Sequence, residues 1–193
     1  MNRPSLPASP APAPRHYVSV IGAGRADEAL YETARELGRG LAQAGYVVVC
    51  GGLGGVMEAA ARGAHEAGGT AIGLLPSHER GSANAYLDFV LTTGLGEARN
   101  VVVASSGDVV VAIGGEYGTL SEIGLAAKIG RPVVLLDSWR LDHTVREPGK
   151  TESASPQGVP GGPPAEPARG PSSIAYASSV EEALSLVRAH LSS

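Results

Sequence analysis

Val109-Val110-Val111-Ala112-Ile113 is an unbroken apolar run that ends on Gly114-Gly115. With no polar residue alternating, it reads as a strand covered on both faces. Strands of that kind belong to parallel sheets, and parallel neighbours need crossovers that are usually helices. The chain supplies the alternation. Strands are predicted at 17–21, 46–50, 70–75, 89–92, 108–113, 132–136 and 174–177. Helices are predicted at 27–44, 55–67, 97–105, 119–129 and 179–190. The first carries Leu30, Ala34, Leu37 and Leu41 on one face, and the last has Ser179 as cap with Glu182 three residues on. The expected fold is therefore α/β: a doubly wound parallel sheet in three α/β/α layers, forming a single domain.

Three strands run into glycine. The turns are Gly22-Ala23-Gly24, Gly51-Gly52-Leu53-Gly54-Gly55 and Gly114-Gly115-Glu116-Tyr117-Gly118-Thr119. Each falls at a carboxyl strand end, where open parallel sheets bind ligands. Bare backbone lets a ligand approach, and the following helix start favours an anion. Together they predict a nucleotide-like phosphorylated ligand, held by Gly22, Gly24, Gly51, Gly52, Gly54, Gly55, Gly114, Gly115, Gly118 and Thr119. A dinucleotide fingerprint is disfavoured: position 27 is Asp where a glycine is needed, and no acidic residue closes the second strand.

Each motif has a plainer reading. The first can be a tight turn without a ligand. The second has four glycines in five positions, more than a turn needs, and Met57 behind it is expected in the core. The third contains Thr119-Leu120-Ser121-Glu122, which is also a capping box, with Glu122 folded back onto its own helix start. Arg99, on a small and apolar helix, reads either as a solvent-facing side chain or as an anion clamp. The residues alone leave these alternatives open.

Bulk properties narrow the partners. A net charge of −4 and 4% aromatics argue against a nucleic-acid partner, which needs a basic footprint or stacking platforms. The single cysteine, Cys50, closes a strand and is expected to be a small buried side chain. His16, His65, His78, His143 and His190 lack metal-ligand spacing, so they are expected at the surface and no metal is expected. No apolar run approaches the roughly 20 residues that span a bilayer, so no membrane partner and a cytoplasmic location are expected. Residues 1–15 read as a disordered Pro/Ala tail, 16–142 as the ligand-binding domain, 143–171 as a flexible Pro/Gly-rich insertion, and 172–193 as the strand and helix that complete the domain. The polar stretch 77–84 is expected at the cleft rim.

Over about residues 17–137 these motifs resemble the Lonely Guy-type Rossmann-like superfamily. It includes the cytokinin-activating phosphoribohydrolases, often mislabelled lysine decarboxylases, and the molybdenum cofactor carrier proteins. The hydrolases carry Pro-Gly-Gly-x-Gly-Thr and, after two further residues, an essential Glu. Aligned on Gly118-Thr119, Glu122 takes the place of that Glu, Gly114 of the family's proline and Glu116 of a glycine. An arginine on the preceding helix pairs with the Glu in the family, and Arg99 matches it. The resemblance implies a Rossmann-like fold and a homo-oligomer. It implies amides of Gly115, Gly118 and Thr119 on a 5′-phosphate, with Glu122 and Arg99 as catalytic residues that hydrolyse the N-glycosidic bond of a nucleoside 5′-monophosphate. Two departures imply another outcome. The glycine turn after the second strand is shorter than in the hydrolases, and Gly96-Glu97-Ala98-Arg99-Asn100 lacks their His-Glu-Arg-Lys string. Arg-Asn and Gly-Thr-Leu-Ser-Glu-Ile stand closer to the carrier-like branch. The alternative is then a non-catalytic carrier of molybdenum cofactor or another phosphorylated pterin, or a nucleotide sensor. No cofactor is required in either case. Glu116 places a negative charge in the phosphate loop.

Overall fold

Apolar residues on consecutive positions of a strand point to opposite faces, so each face must be roofed. The computed structural model describes residues 15–141 and 174–192. The predicted insertion, and the tail except Arg15, lie outside them. The strands are β1 (Tyr17–Gly22), β2 (Val47–Cys50), β3 (Thr70–Leu75), β4 (Phe89–Thr92), β5 (Val109–Ile113), β6 (Val133–Leu136) and β7 (Ile174–Ala177). All pair in parallel, in the order β4-β3-β2-β1-β5-β6-β7. The helices are α1 (Glu28–Gln43), α2 (Val56–Glu66), α3 (Arg99–Ser106), α4 (Tyr117–Lys128) and α5 (Val180–Leu191). The architecture is the expected Rossmann-like doubly wound sheet.

The run at β5 shows the physics. Val109, Val111 and Ile113 pack into one core with α1, α2 and α5, while Val110 and Ala112 pack into a second core with α3 and α4. Each fully buried Val or Ile contributes about 1.5–3 kcal/mol relative to exposure. The chain winds outward from β1 to β4, then returns to β5 on the other side of β1. That reversal between β1 and β5 opens a crevice at their carboxyl ends, the topological switch point.

Capping fixes the helix starts. Asp27 caps α1 by accepting the Leu30 N–H at 2.9 Å. Ser179 caps α5 by accepting the Glu182 N–H at 3.2 Å, but the Glu182 carboxylate turns to the N–H and hydroxyl of Ser178. Two starts differ from expectation. A single 3-10 turn, Gly96–Ala98, precedes α3, so Arg99 is the first α-helical residue. α4 begins at Tyr117, two residues before Thr119. On the outer faces of α1 and α2, Glu66 accepts from Arg35, Arg39 and Arg62, each at 2.9 Å. These partners, Arg35 foremost, pull its carboxyl down to about 2.

Candidate functional site

A cleft of about 310 Å³ lies at the switch point. Ile21, Gly22, Ala23 and Gly24 of the β1–α1 turn form one wall, and Gly51, Leu53 and Met57 from the start of α2 form another. Glu97, Arg99 and Asn100 come from the start of α3, and Glu116, Gly118, Thr119 and Glu122 from that of α4. Gly51 and Leu53 of the second glycine turn, Arg99 and the α4 start thus share one cavity.

Arg99 is only 7% exposed. Its Nη1 donates to the carbonyl oxygens of Gly51 and Leu74, at the ends of β2 and β3. A side chain at 51 would collide with this guanidinium and with Met57 Sδ, so the glycine makes room for the arginine. Arg99 Nε is buried without a partner. Burial lowers the Arg99 pKa, against Glu122, Cys50 and Glu97, which raise it. The solvent-facing reading of Arg99 is therefore replaced by a buried brace across two strand ends.

Glu122 is 8% exposed and makes no hydrogen bond among the described residues. Burial raises its carboxyl to about 7, Arg99 opposes that rise, and Glu97 adds to it. No hydrogen bond or ion pair joins Arg99 directly to Glu122. The family's direct pairing is replaced here by interaction through charge alone.

The capping box does not form. Glu116 holds the cap position of α4, and its side chain caps nothing. Thr119 lies within the first turn, and Glu122 faces the cleft. The amides of Tyr117, Gly118 and Thr119 lead an α-helix, where N–H groups lack intrahelical acceptors. Such a start attracts an anion. Beside it, Gly118 and Gly24 have nothing within 4 Å of where a Cβ would stand, so both present open backbone to the cleft.

Five predicted glycines stand elsewhere. Gly52, Gly54 and Gly55 do not line the cleft. A Cβ on Gly55 would strike the backbone of Ala23 and Gly24, and φ is +63° there, so the chain's own packing demands this glycine. Gly114 and Gly115 line a neighbouring cavity of about 340 Å³ with Asp137, Ser138 and Trp139. Ser138 Oγ donates to the Gly114 carbonyl at 2.6 Å. Met57 is both buried and part of the cleft wall. No residue of 77–84 lines the cleft; Asn84 instead braces it, donating from its N–H to Gly52 O and from Nδ2 to Leu53 O, both at 3.0 Å. Glu97, Asn100 and Leu53 are site residues that sequence reasoning did not select. Their signal was position: two flank Arg99, and one lies inside the glycine turn.

Cys50 is buried, and burial pushes its thiol up to about 11. His16, His65 and His78 are exposed, His190 is half-buried, and His143 lies outside the described residues. Among the described residues, no three His, Cys, Asp or Glu group to hold a metal, and no helix is long and apolar enough to cross a membrane.

Residues 15–158 match the model of the SLOG cluster4 family. An uncharacterized protein from Archaeoglobus fulgidus is 40% identical over 136 residues, covering 67% of this chain and 89% of that protein. The molybdenum cofactor binding protein of Rippkaea orientalis superposes with a TM-score of 0.74 at 30% identity, covering 93% of this chain and 99% of its own. The molybdenum cofactor carrier protein of Chlamydomonas reinhardtii superposes with a TM-score of 0.69 at 30% identity, covering 93% of this chain and 100% of its own.

Proposed function

The chain belongs to the SLOG cluster4 family, and on that premise we propose that its cleft holds a small phosphorylated ligand, a pterin of the molybdenum cofactor type, as a non-catalytic cytoplasmic carrier. The observation that carries this reading is the end-to-end likeness to two proteins that bind or carry that cofactor. The cleft suits such a cargo. The phosphate would sit on the amides of Gly118 and Thr119, beside the open backbone of Gly24. Leu53 and Met57 would lie against the ring face, with Glu97 and Asn100 offering polar groups to its edge. Arg99 would hold Gly51 in place and supply positive charge beneath the ligand, while Glu122 would accept from ligand N–H or O–H groups. Gly22 and Gly51 would complete the wall.

One observation favours a second reading. A buried carboxyl near 7 in a cleft is suited to proton transfer at neutral pH. In that reading Glu122 activates water for attack on the ribose anomeric carbon of a nucleoside 5′-monophosphate. The N-glycosidic bond breaks, the base departs with a proton, and ribose 5-phosphate remains.

Incubation with molybdenum cofactor and, separately, with adenosine monophosphate distinguishes the readings. The carrier retains the pterin through gel filtration and releases no adenine. Adenine release that disappears in Glu122→Ala overturns the carrier in favour of hydrolysis. Retention of adenosine monophosphate, with neither turnover nor pterin binding, overturns both in favour of a nucleotide sensor.

A further inference from the structure

β5, α4 and β6 form a second strand–helix–strand unit beside the cleft. Dinucleotide-binding folds hold a nucleotide with a unit of this kind. A glycine turn follows the first strand, a helix start takes the phosphate, and an acid about 20 residues on closes the next strand and accepts from the ribose hydroxyls. β2 lacks that acid, since Cys50 runs into Gly51. β6 has it: Asp137 follows Leu136 directly. Asp137 is exposed, and among the described residues it is the one non-glycine with positive φ, at +47°.

The cavity of about 340 Å³ lined by Gly114, Gly115, Asp137, Ser138 and Trp139 lies at the carboxyl edge of this unit. It adjoins the cleft. A Cβ on Gly115 would strike the side chain of Thr119, so the turn that walls one cavity touches a residue that lines the other. Its rim is aromatic. The rings of Tyr117 and Trp139 lie 5.9 Å apart, tilted by 41°, and Tyr117 is 81% exposed. Trp139 packs against the α3–α4 core and supports that bare ring from beneath. Its Nε1 is buried without a partner among the described residues, although buried indole N–H groups usually find one. The Asp137 carboxylate is the one ionisable group lining this cavity. A further phosphate is therefore repelled, whereas a neutral sugar with hydroxyl donors is held.

We propose that the ligand continues across the α4 start: its phosphate is joined through a second phosphate to a nucleoside, whose ribose donates to Asp137 and whose base stacks on Tyr117. This rests on the phosphorylated-pterin reading of the cleft and adds the other half of the cargo. Size agrees. The cleft, at about 310 Å³, and this cavity, at about 340 Å³, each stand at the low end of the about 300–1,000 Å³ of small-molecule sites. A ligand with two ring systems occupies both.

Two probes test this on the full chain: molybdenum cofactor with its single phosphate, and its guanine dinucleotide form. Stacking of one base on an aromatic side chain raises affinity about tenfold, whichever base it is. By calorimetry, wild type therefore binds the dinucleotide form about tenfold tighter than the single-phosphate form. Tyr117→Ala keeps the backbone amide and removes an exposed side chain that does not line the cleft. It brings the ratio of the two affinities to about one. Trp139 is the single tryptophan of the chain, so its emission reports on the second cavity. The dinucleotide form quenches that emission and the single-phosphate form does not. Equal affinities in wild type, a preference that Tyr117→Ala leaves intact, or emission that both forms change alike overturns the proposal and leaves the pterin carrier standing. Binding of neither form overturns the carrier reading and this proposal together.

Discussion

Replacing Glu122 by glutamine keeps its shape and removes its charge, so the variant isolates the electrostatic state of the cleft. Burial holds the Glu122 carboxyl at about 7, where 4.5 is its ordinary value. Below pH 4.5 the group is protonated in folded and unfolded chains alike and has no effect on their balance. Between 4.5 and 7 the unfolded chain gives up the proton while the folded chain keeps it, so stability falls as pH rises. Above 7 both forms are ionised and the loss is complete. Its size is about 3 kcal/mol. Glutamine never ionises. Relative to wild type, Glu122→Gln therefore gains about 3 kcal/mol between pH 4.5 and pH 8. In urea this moves the midpoint by about 1–3 M. Equilibrium unfolding of both proteins at half-unit intervals of pH measures it. A stability difference that stays constant across that range refutes the reasoning, because Glu122 would then be solvated or directly paired with Arg99.

Two further outcomes follow from named contacts. Gly51→Ala places a methyl where the Arg99 guanidinium lies; overpacking and the loss of two buried hydrogen bonds lower stability by about 1–3 kcal/mol and weaken ligand binding, as read by urea unfolding and calorimetry. Glu66→Gln lowers stability at pH 7. The contribution of Glu66 is present above about 4.5 and is lost as pH falls through about 2, so the deficit measured by thermal unfolding shrinks toward zero across that window.

The strands were legible because unbroken apolar runs have few other uses, and the run at 109–113 needed a roof on both faces. The doubly wound class followed from alternation alone. The site was legible only in outline. Arg99 could be singled out by its family position, but its acceptors, Gly51 O and Leu74 O, lie 48 and 25 residues away in sequence. Glycine excess was ambiguous for a physical reason: a ligand and the chain's own backbone make the same demand for a missing Cβ. Gly118 and Gly24 are open to the cleft, whereas Gly55 is filled by the adjoining turn. Local propensity misplaced the start of α4. Thr119 is a better cap than Glu116, yet the turn through Gly115 begins the helix at Tyr117 and leaves its leading amides without a side-chain cap. A helix start that forgoes its best local cap is the kind of conflict expected where a ligand completes the structure.

The central claim is that the uncapped start of α4 receives the phosphorylated end of the ligand. Amide NMR of the labelled chain during titration with a phosphorylated pterin tests it directly. The largest shifts are expected at Gly118 and Thr119, with smaller ones at Gly24 and Leu53 across the cleft. Unmoved Gly118 and Thr119 amides, with shifts gathered instead around Asp137 and Arg140, would contradict it.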